Sequence, residues 1–280
     1  MFQSSDRPRS FFLEPAFISK TCLYAVLLAG MYYSSLTWMV SVDWAKGDYS
    51  HCMLIPLIVL YLIWERHHYL DNAESKPTFK GFFFLIPGIC LFWLGELAGE
   101  FFTLYISLWL IVFSLCHINL GWEKLKIILF PLLFSLTMFP FPDFINNRIT
   151  LQLKLISSKF GVLMLQAYGM SVYREGNVID LGFTRLQVVD ACSGLRYLFP
   201  MIVLSILVAY FYKVRIWKKI LLVLSSGPLT VFSNSLRIAL TGILSEKFGS
   251  KAIEGFFHDF EGWLIFMFTL GILLLEMWLM

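Results

Sequence analysis

Asp190-Ala191-Cys192-Ser193-Gly194-Leu195-Arg196-Tyr197-Leu198-Phe199-Pro200-Met201 marks the place where a polar, strand-like segment gives way to an apolar run that continues to Tyr212. An apolar run of about 18 residues or more reads as a spanning helix, because a helix satisfies its own backbone N–H and C=O groups where lipid offers them nothing. The passage sets the chemistry as well. Cys192 falls at or just before the first turn of that helix, where partial positive charge favours the thiolate, the nucleophilic form of cysteine. Arg196, four residues on, lies one turn along the same face and pulls the same way.

Working outward, apolar runs recur from Thr21 to the last residue. The chain of 280 residues is 58% hydrophobic and 15% charged, where a soluble domain carries about 25% charge. Eight candidate spans follow: 20–40, 52–65, 81–98, 101–118, 126–141, 194–212, 220–243 and 262–280, the second and fifth short for a bilayer. The fold class expected is an all-α polytopic membrane protein, one domain over 1–280, with about eight transmembrane helices and a small external region in the loop 142–191. Within that loop, 146–168 reads as an interfacial amphipathic helix. Asn177-Val178-Ile179-Asp180 and Thr184-Arg185-Leu186-Gln187-Val188-Val189 read as short strands of a meander.

Lysine and arginine in short loops set the orientation. Arg7, Arg9 and Lys20, then Arg66, Lys76 and Lys80, then Lys124 and Lys126, then Lys213 to Lys219 all fall on one side, assigned to the cytoplasm. Both termini are expected there, and the first apolar run reads as a retained helix. The net charge of +3 is explained by this asymmetry and requires no nucleic-acid partner.

Topology then filters the chemistry. Among the histidines, His51 and His258 fall on the outer side; among the cysteines, Cys52 and Cys192 do. Arg237, in Ser233-Asn234-Ser235-Leu236-Arg237-Ile238, stands inside an apolar helix with Asn234 on the same face. An arginine at the centre of a spanning helix costs about 2.5–3.5 kcal/mol on insertion scales, so it points to function. The structural alternative has Arg237 snorkelling outward or pairing with a carboxylate such as Asp190 or Asp259. His258 is either reactive or part of an interfacial aromatic belt. Cys192 is a nucleophile, an inert thiol, or half of a disulfide with Cys52. Neither HExxH, CxxC nor a glycine-rich phosphate loop occurs, so no metal and no cofactor are expected.

Three segments, Ala191-Cys192-Ser193-Gly194-Leu195-Arg196, Ser233-Asn234-Ser235-Leu236-Arg237-Ile238 and Phe257-His258-Asp259-Phe260-Glu261-Gly262-Trp263, resemble the signature blocks of the exosortases, bacterial inner-membrane counterparts of archaeosortases. Asp48-Tyr49-Ser50-His51 and Val172-Tyr173-Arg174-Glu175-Gly176-Asn177-Val178-Ile179 are similar to further family stretches. Cys52 stands where a glycine is expected. The resemblance implies a cysteine transpeptidase or protease with Cys192, Arg237 and His258 as catalytic positions and Arg196, Asn234, His51 and Asp190 in support. It implies as substrates exported proteins with a C-terminal tripartite sorting signal of the PEP-CTERM kind, and a lipid or glycolipid amine as acceptor. The rival readings are a transporter with Arg237 and Glu96 lining a polar path, its best feature the helix breaker Gly227-Pro228, and an assembly scaffold without thiol chemistry.

Overall fold

Helices account for most of the computed structural model, which describes residues 15–187, 195–249 and 256–280, with the side chains of 187, 195, 196 and 256–261 outside the description. The chain divides into two compact units at Phe141/Pro142.

In the first unit, α1 (Pro15–Met31) and α2 (Tyr33–Trp38) are followed by a π-helical turn, Met39–Asp43. A 3₁₀ turn, Ser50–Leu54, leads into α3 (Ile55–Glu65), then come α4 (His67–Asn72), α5 (Phe82–Ala98), α6 (Phe101–Phe134) and a last 3₁₀ turn, Ser135–Met138. Over the expected span 20–40, the helices Pro15–Met31 and Tyr33–Asp43 meet at a bend of 81°. The break falls at Tyr32, which is 1% exposed. Its hydroxyl is 2.5 Å from Ser107 Oγ and its ring meets Phe92 edge-on at 5.0 Å. Anchoring this side chain in the interior turns the helix axis there.

α5 packs on α6 through a glycine stripe at heptad spacing. Gly81, Gly88 and Gly95 face Ile118, Ile111 and Leu104, and a Cβ at any of the three would press into its partner. Ser114 Oγ donates to the carbonyl of Gly81 and Ser107 Oγ to that of Gly88, each at 2.7 Å. Small residues that let backbones approach, with hydroxyls bridging them, hold helices together where lipid removes the usual hydrophobic drive. Successive seven-residue steps run up one helix and down the other, so α5 and α6 are antiparallel along this seam.

Four helices among the described residues are long and apolar enough to cross a membrane: Phe79–Ala98, Phe101–Met138, Ile216–Phe248 and Gly262–Leu279. The bent pair at the N-terminus makes a fifth if taken as one span, while Ser50–Glu65 and Tyr197–Phe211 are apolar but shorter. Among the described residues, length and composition therefore identify four or five spans, and the expected count of eight is not confirmed. Part of the difference lies in Phe101–Met138, which is not straight. Gly121 inside it has φ 73° and ψ 177°. Trp109 Nε1 donates to the Leu132 carbonyl at 2.7 Å, two positions that a straight helix holds ~34 Å apart. Tyr105 stacks on Phe139 at 5.5 Å. The segment folds back at Gly121 into two antiparallel arms, in the positions of the expected spans 101–118 and 126–141.

The unit consequently has two chemically distinct ends. At one, Thr78 N–H donates to the Ile118 carbonyl at 3.1 Å, Ser75 Oγ to that of Asn119 at 3.3 Å, and Leu70 packs with Leu120 and Leu125. The lysines and arginines at 66, 76, 80, 124 and 126 collect around these contacts. At the other end, the Tyr105 hydroxyl donates to buried Asp43 at 2.9 Å, and Trp44 Nε1 to the Met138 carbonyl at 3.0 Å. Within this unit, the loops that carry Arg66, Lys76, Lys80, Lys124 and Lys126 thus share one end.

The second unit contains α7 (Asp143–Tyr168), strands β1 (Tyr173–Glu175), β2 (Val178–Asp180) and β3 (Arg185–Gln187), and helices α8 (Leu195–Phe211), α9 (Ile216–Phe248) and α10 (Phe256–Leu279). The strands form an antiparallel meander in the order β1-β2-β3. β2 and β3 fall within the two stretches expected as strands, and β1 is an addition. Arg174 ties the sheet to α7: its Nη1 donates to the Gly176 carbonyl at 2.8 Å, Ser158 Oγ at 3.3 Å and the Leu155 carbonyl at 3.4 Å. α7 meets α9 at Gly161 against Ile238 and at Leu165 against Gly242, one turn apart on each helix, so the two run in the same direction at that contact. Ile179 and Leu181 join Val162, Leu165, Ile238 and Ala239 in one buried cluster.

Candidate functional site

α9 carries a polar face where composition alone calls for an apolar one. Ser226, Thr230, Ser233, Asn234 and Arg237 recur at spacings of three and four, the period of one helix face, and all are buried. The hydroxyls are satisfied locally, which is how an apolar helix tolerates them. Ser226 Oγ donates to the Val223 carbonyl at 2.6 Å and Thr230 Oγ1 to that of Ser226 at 2.7 Å. Ser233 shares a hydrogen bond with Thr269 of α10, whose Oγ1 also reaches the Ile265 carbonyl at 2.7 Å.

Two neighbours meet this face in antiparallel register. Ser225 Oγ donates to Glu276 Oε2 of α10 at 2.6 Å, and Ser233 meets Thr269, so α10 descends as α9 rises. From α8, Met201 and Ala209 share a cluster with Leu222, while Tyr197 lies against Arg237. The N-terminal turns of α8 and α10 and the Arg237 level of α9 therefore occupy one end of this unit. The basic loop Lys213–Lys219 lies at the other.

Arg237 is 3% exposed, as is Asn234. Its guanidinium carbon stands 5.8 Å from the centroid of the Tyr197 ring, a cation–π contact strengthened by the exclusion of water. The same ring lies 5.8 Å from Phe266. At Gly262 of α10, the position of an added Cβ would overlap the Tyr197 hydroxyl and come 3.3 Å from Arg237 Cζ. A cavity of about 10 Å³ lies here, lined by Tyr197, Thr230, Ser233, Asn234, Arg237 and Thr269 among others. That is room for a single water and not for a peptide.

The expected site residues distribute unevenly over this frame. Arg237 and Asn234 are brought together on the buried face of α9. His258 lies in the first turn of α10, four residues before Gly262, and Arg196 in the first turn of α8; the side chains of both are outside the described residues, as are Cys192 and Asp190. His51 belongs to the first unit, with its Nε2 3.8 Å from Cys52 Sγ. Cys52 is a buried free thiol that points to the Thr137 carbonyl at 3.7 Å. The residues that sequence reading passed over are Tyr197 and Gly262. Each stands in or beside a quoted block, but a tyrosine and a glycine in apolar helices carry no reactive signature.

The transporter reading finds little support in this geometry. α9 runs as one helix through Gly227 and Pro228, and Glu96 is exposed on α5. Among the described residues, no group of three or more histidine, cysteine, aspartate or glutamate side chains is placed to hold a metal.

The family model described as transmembrane exosortase matches residues 43–275. No curated protein matches the chain, and no solved structure does.

Proposed function

The chain belongs to the transmembrane exosortase family, and from that premise we propose that it is a membrane cysteine transpeptidase that cleaves the C-terminal sorting signals of exported proteins. The observation that carries the reading is the meeting of Tyr197, Arg237 and Gly262 at one end of the second unit. Cys192 precedes Tyr197 by five residues and His258 precedes Gly262 by four, so the segments that bear the thiol and the imidazole feed into that junction.

The reaction begins when the Cys192 thiolate attacks the scissile carbonyl of the substrate. The N-terminal turn of α8 and Arg196 favour the thiolate over the thiol. The tetrahedral oxyanion forms beside Arg237, whose buried guanidinium is worth far more there than in water. His258 protonates the departing amine as the C–N bond breaks, leaving a thioester on Cys192. An amine acceptor on a membrane lipid or glycolipid then attacks that thioester, giving up its proton to His258. The new amide forms and the thiolate returns; with water as acceptor the same steps give a protease. Asn234, on the Arg237 face, supports the guanidinium. Asp190 and His51 are assigned supporting roles. The site faces the outer side of a bacterial inner membrane, with the basic loops and both chain termini in the cytoplasm. That orientation suits a substrate that arrives by export.

Arg237→Lys tests the assignment. It keeps the charge and loses the planar fork, and processing of a secreted reporter should fall about 100- to 1000-fold, the loss typical of one oxyanion donor, while the protein remains in the membrane. Processing at the wild-type rate refutes the reading.

A further inference from the structure

Tyr197, Arg237 and Gly262 meet at a single joint, and none of the three chemical roles above accounts for the first and the last. Tyr197 directly follows the Cys192 segment, Arg237 belongs to its own segment, and Gly262 to that of His258. The Tyr197 ring is held on one side by Phe266 at 5.8 Å and presents its face to the Arg237 guanidinium at 5.8 Å. Its hydroxyl occupies the space above Gly262 that a side chain there would fill. Gly262 is in α10, with no positive φ to demand a glycine. What excludes a larger residue is the tyrosine.

We propose that Tyr197 is a positioning residue for Arg237 and that Gly262 is the notch that admits it, so that the joint sets the relative placement of α8, α9 and α10 at the reacting end. The inference rests on the reading of Arg237 as the oxyanion donor. An arginine side chain has many rotamers, and an oxyanion donor must be held in one of them before the charge develops. The ring supplies a flat, low-dielectric wall against which the guanidinium has one seat. α8 and α10 are also keyed together, because the tyrosine fits only where α10 lacks a Cβ. Tyr197 touches no reacting atom in this scheme; it acts through Arg237.

The geometry makes an asymmetric forecast. A methyl at 262 conflicts chiefly with the hydroxyl; the next atoms, Tyr197 Cζ and Arg237 Cζ, stand at 3.2 and 3.3 Å and need yield by only a few tenths of an ångström. Gly262→Ala should therefore displace the ring and the guanidinium, and a misplacement of about 1 Å costs on the order of 100-fold in rate. Tyr197→Phe keeps the ring over the guanidinium and should be mild. The double variant Gly262→Ala/Tyr197→Phe removes the atom in conflict and should recover most of the loss.

The experiment measures kcat and KM for the four proteins and for Arg237→Lys in membranes. The substrate is a secreted reporter that ends in a Pro-Glu-Pro motif, an apolar helix and a basic tail, with thermal unfolding of each purified protein alongside. Expected are a fall in kcat at nearly constant KM for Gly262→Ala and recovery in the double variant beyond what additivity of the two single changes allows. A double variant no better than Gly262→Ala, or losses that follow unfolding temperature and amount of folded protein instead of kcat, overturns the joint. If wild type leaves the reporter uncut, or Arg237→Lys cuts it at the wild-type rate, the proposed function itself falls, and the joint with it.

Discussion

Replacing Gly121 by alanine separates the two ways of reading Phe101–Met138. If the segment were one straight helix, its single interior glycine at 121 would be a weak point, and alanine would stabilise the protein by about 1 kcal/mol. The structure predicts the opposite sign. With φ 73° and ψ 177°, Gly121 sits in a backbone region that residues with a Cβ avoid, a strain of about 1–3 kcal/mol. An added Cβ would also overlap the carbonyl oxygen of Lys76 and lie 2.9 Å from its carbon. Those atoms are backbone and have little freedom to move, and overpacking of this kind costs about 1–3 kcal/mol more. The expected loss is about 2–6 kcal/mol. In a thermal scan of the purified protein in detergent it appears as a fall of several degrees to about 20 °C. The defect should show first at the basic end, where Thr78 and Ser75 bond to the carbonyls of Ile118 and Asn119. An unfolding temperature equal to or above that of wild type would refute the reversal at Gly121.

Further outcomes follow from the second unit. Arg174→Ala removes two hydrogen bonds from β1 to α7 and one to the Gly176 carbonyl in the β1–β2 turn and should destabilise the sheet by about 1–3 kcal/mol, seen as faster hydrogen exchange in β1 and β2 with α9 unaffected; equal protection in both proteins would contradict this. Asp180 accepts from the Gly182 N–H at 2.8 Å and from Arg185 Nε at 3.0 Å, and these bonds hold its carboxyl below the usual range, the backbone bond most strongly. A depressed carboxyl stabilises the folded hairpin above its unfolded value of about 3.9 and loses that contribution as pH falls through the lower folded value. Protection of the Gly182 amide, corrected for intrinsic exchange, should therefore be flat from neutral pH down to about 5 and decline only below about 4. A change near neutrality would contradict the assignment.

Much of this was legible in the sequence because lipid imposes simple rules. Apolar runs located helices, and the two arms around Gly121 coincide with two of the expected spans. Turn residues placed β2 and β3, and the burial of Arg237 with Asn234 on one face followed from their spacing. What escaped has physical causes. The bend at Tyr32 arises from a tertiary contact with Ser107 and Phe92, whereas the local sequence there reads as unbroken helix. Residues 146–168 do form part of a helix, but α7 is held along α9 by Gly161 against Ile238 and Gly242 against Leu165, small-residue contacts that amphipathicity does not reveal. The pattern Val172–Ile179 shows no role for Arg174, because two of its three partners, Leu155 and Ser158, come from α7. Tyr197 and Gly262 were invisible for a similar reason: their significance lies in a fit between helices 65 residues apart in the chain.

The account stands or falls on whether Cys192 carries the substrate. Membranes containing the protein and a secreted reporter with the tripartite signal would be quenched in acid and the enzyme analysed by intact mass with and without hydroxylamine. The account predicts an added mass equal to the reporter truncated at its signal, released by hydroxylamine, absent in Cys192→Ala, and mapped to the peptide that contains Cys192. Cleavage of the reporter by Cys192→Ala at the wild-type rate, or a Cys192 found in a disulfide in the active membrane-inserted enzyme, would contradict it.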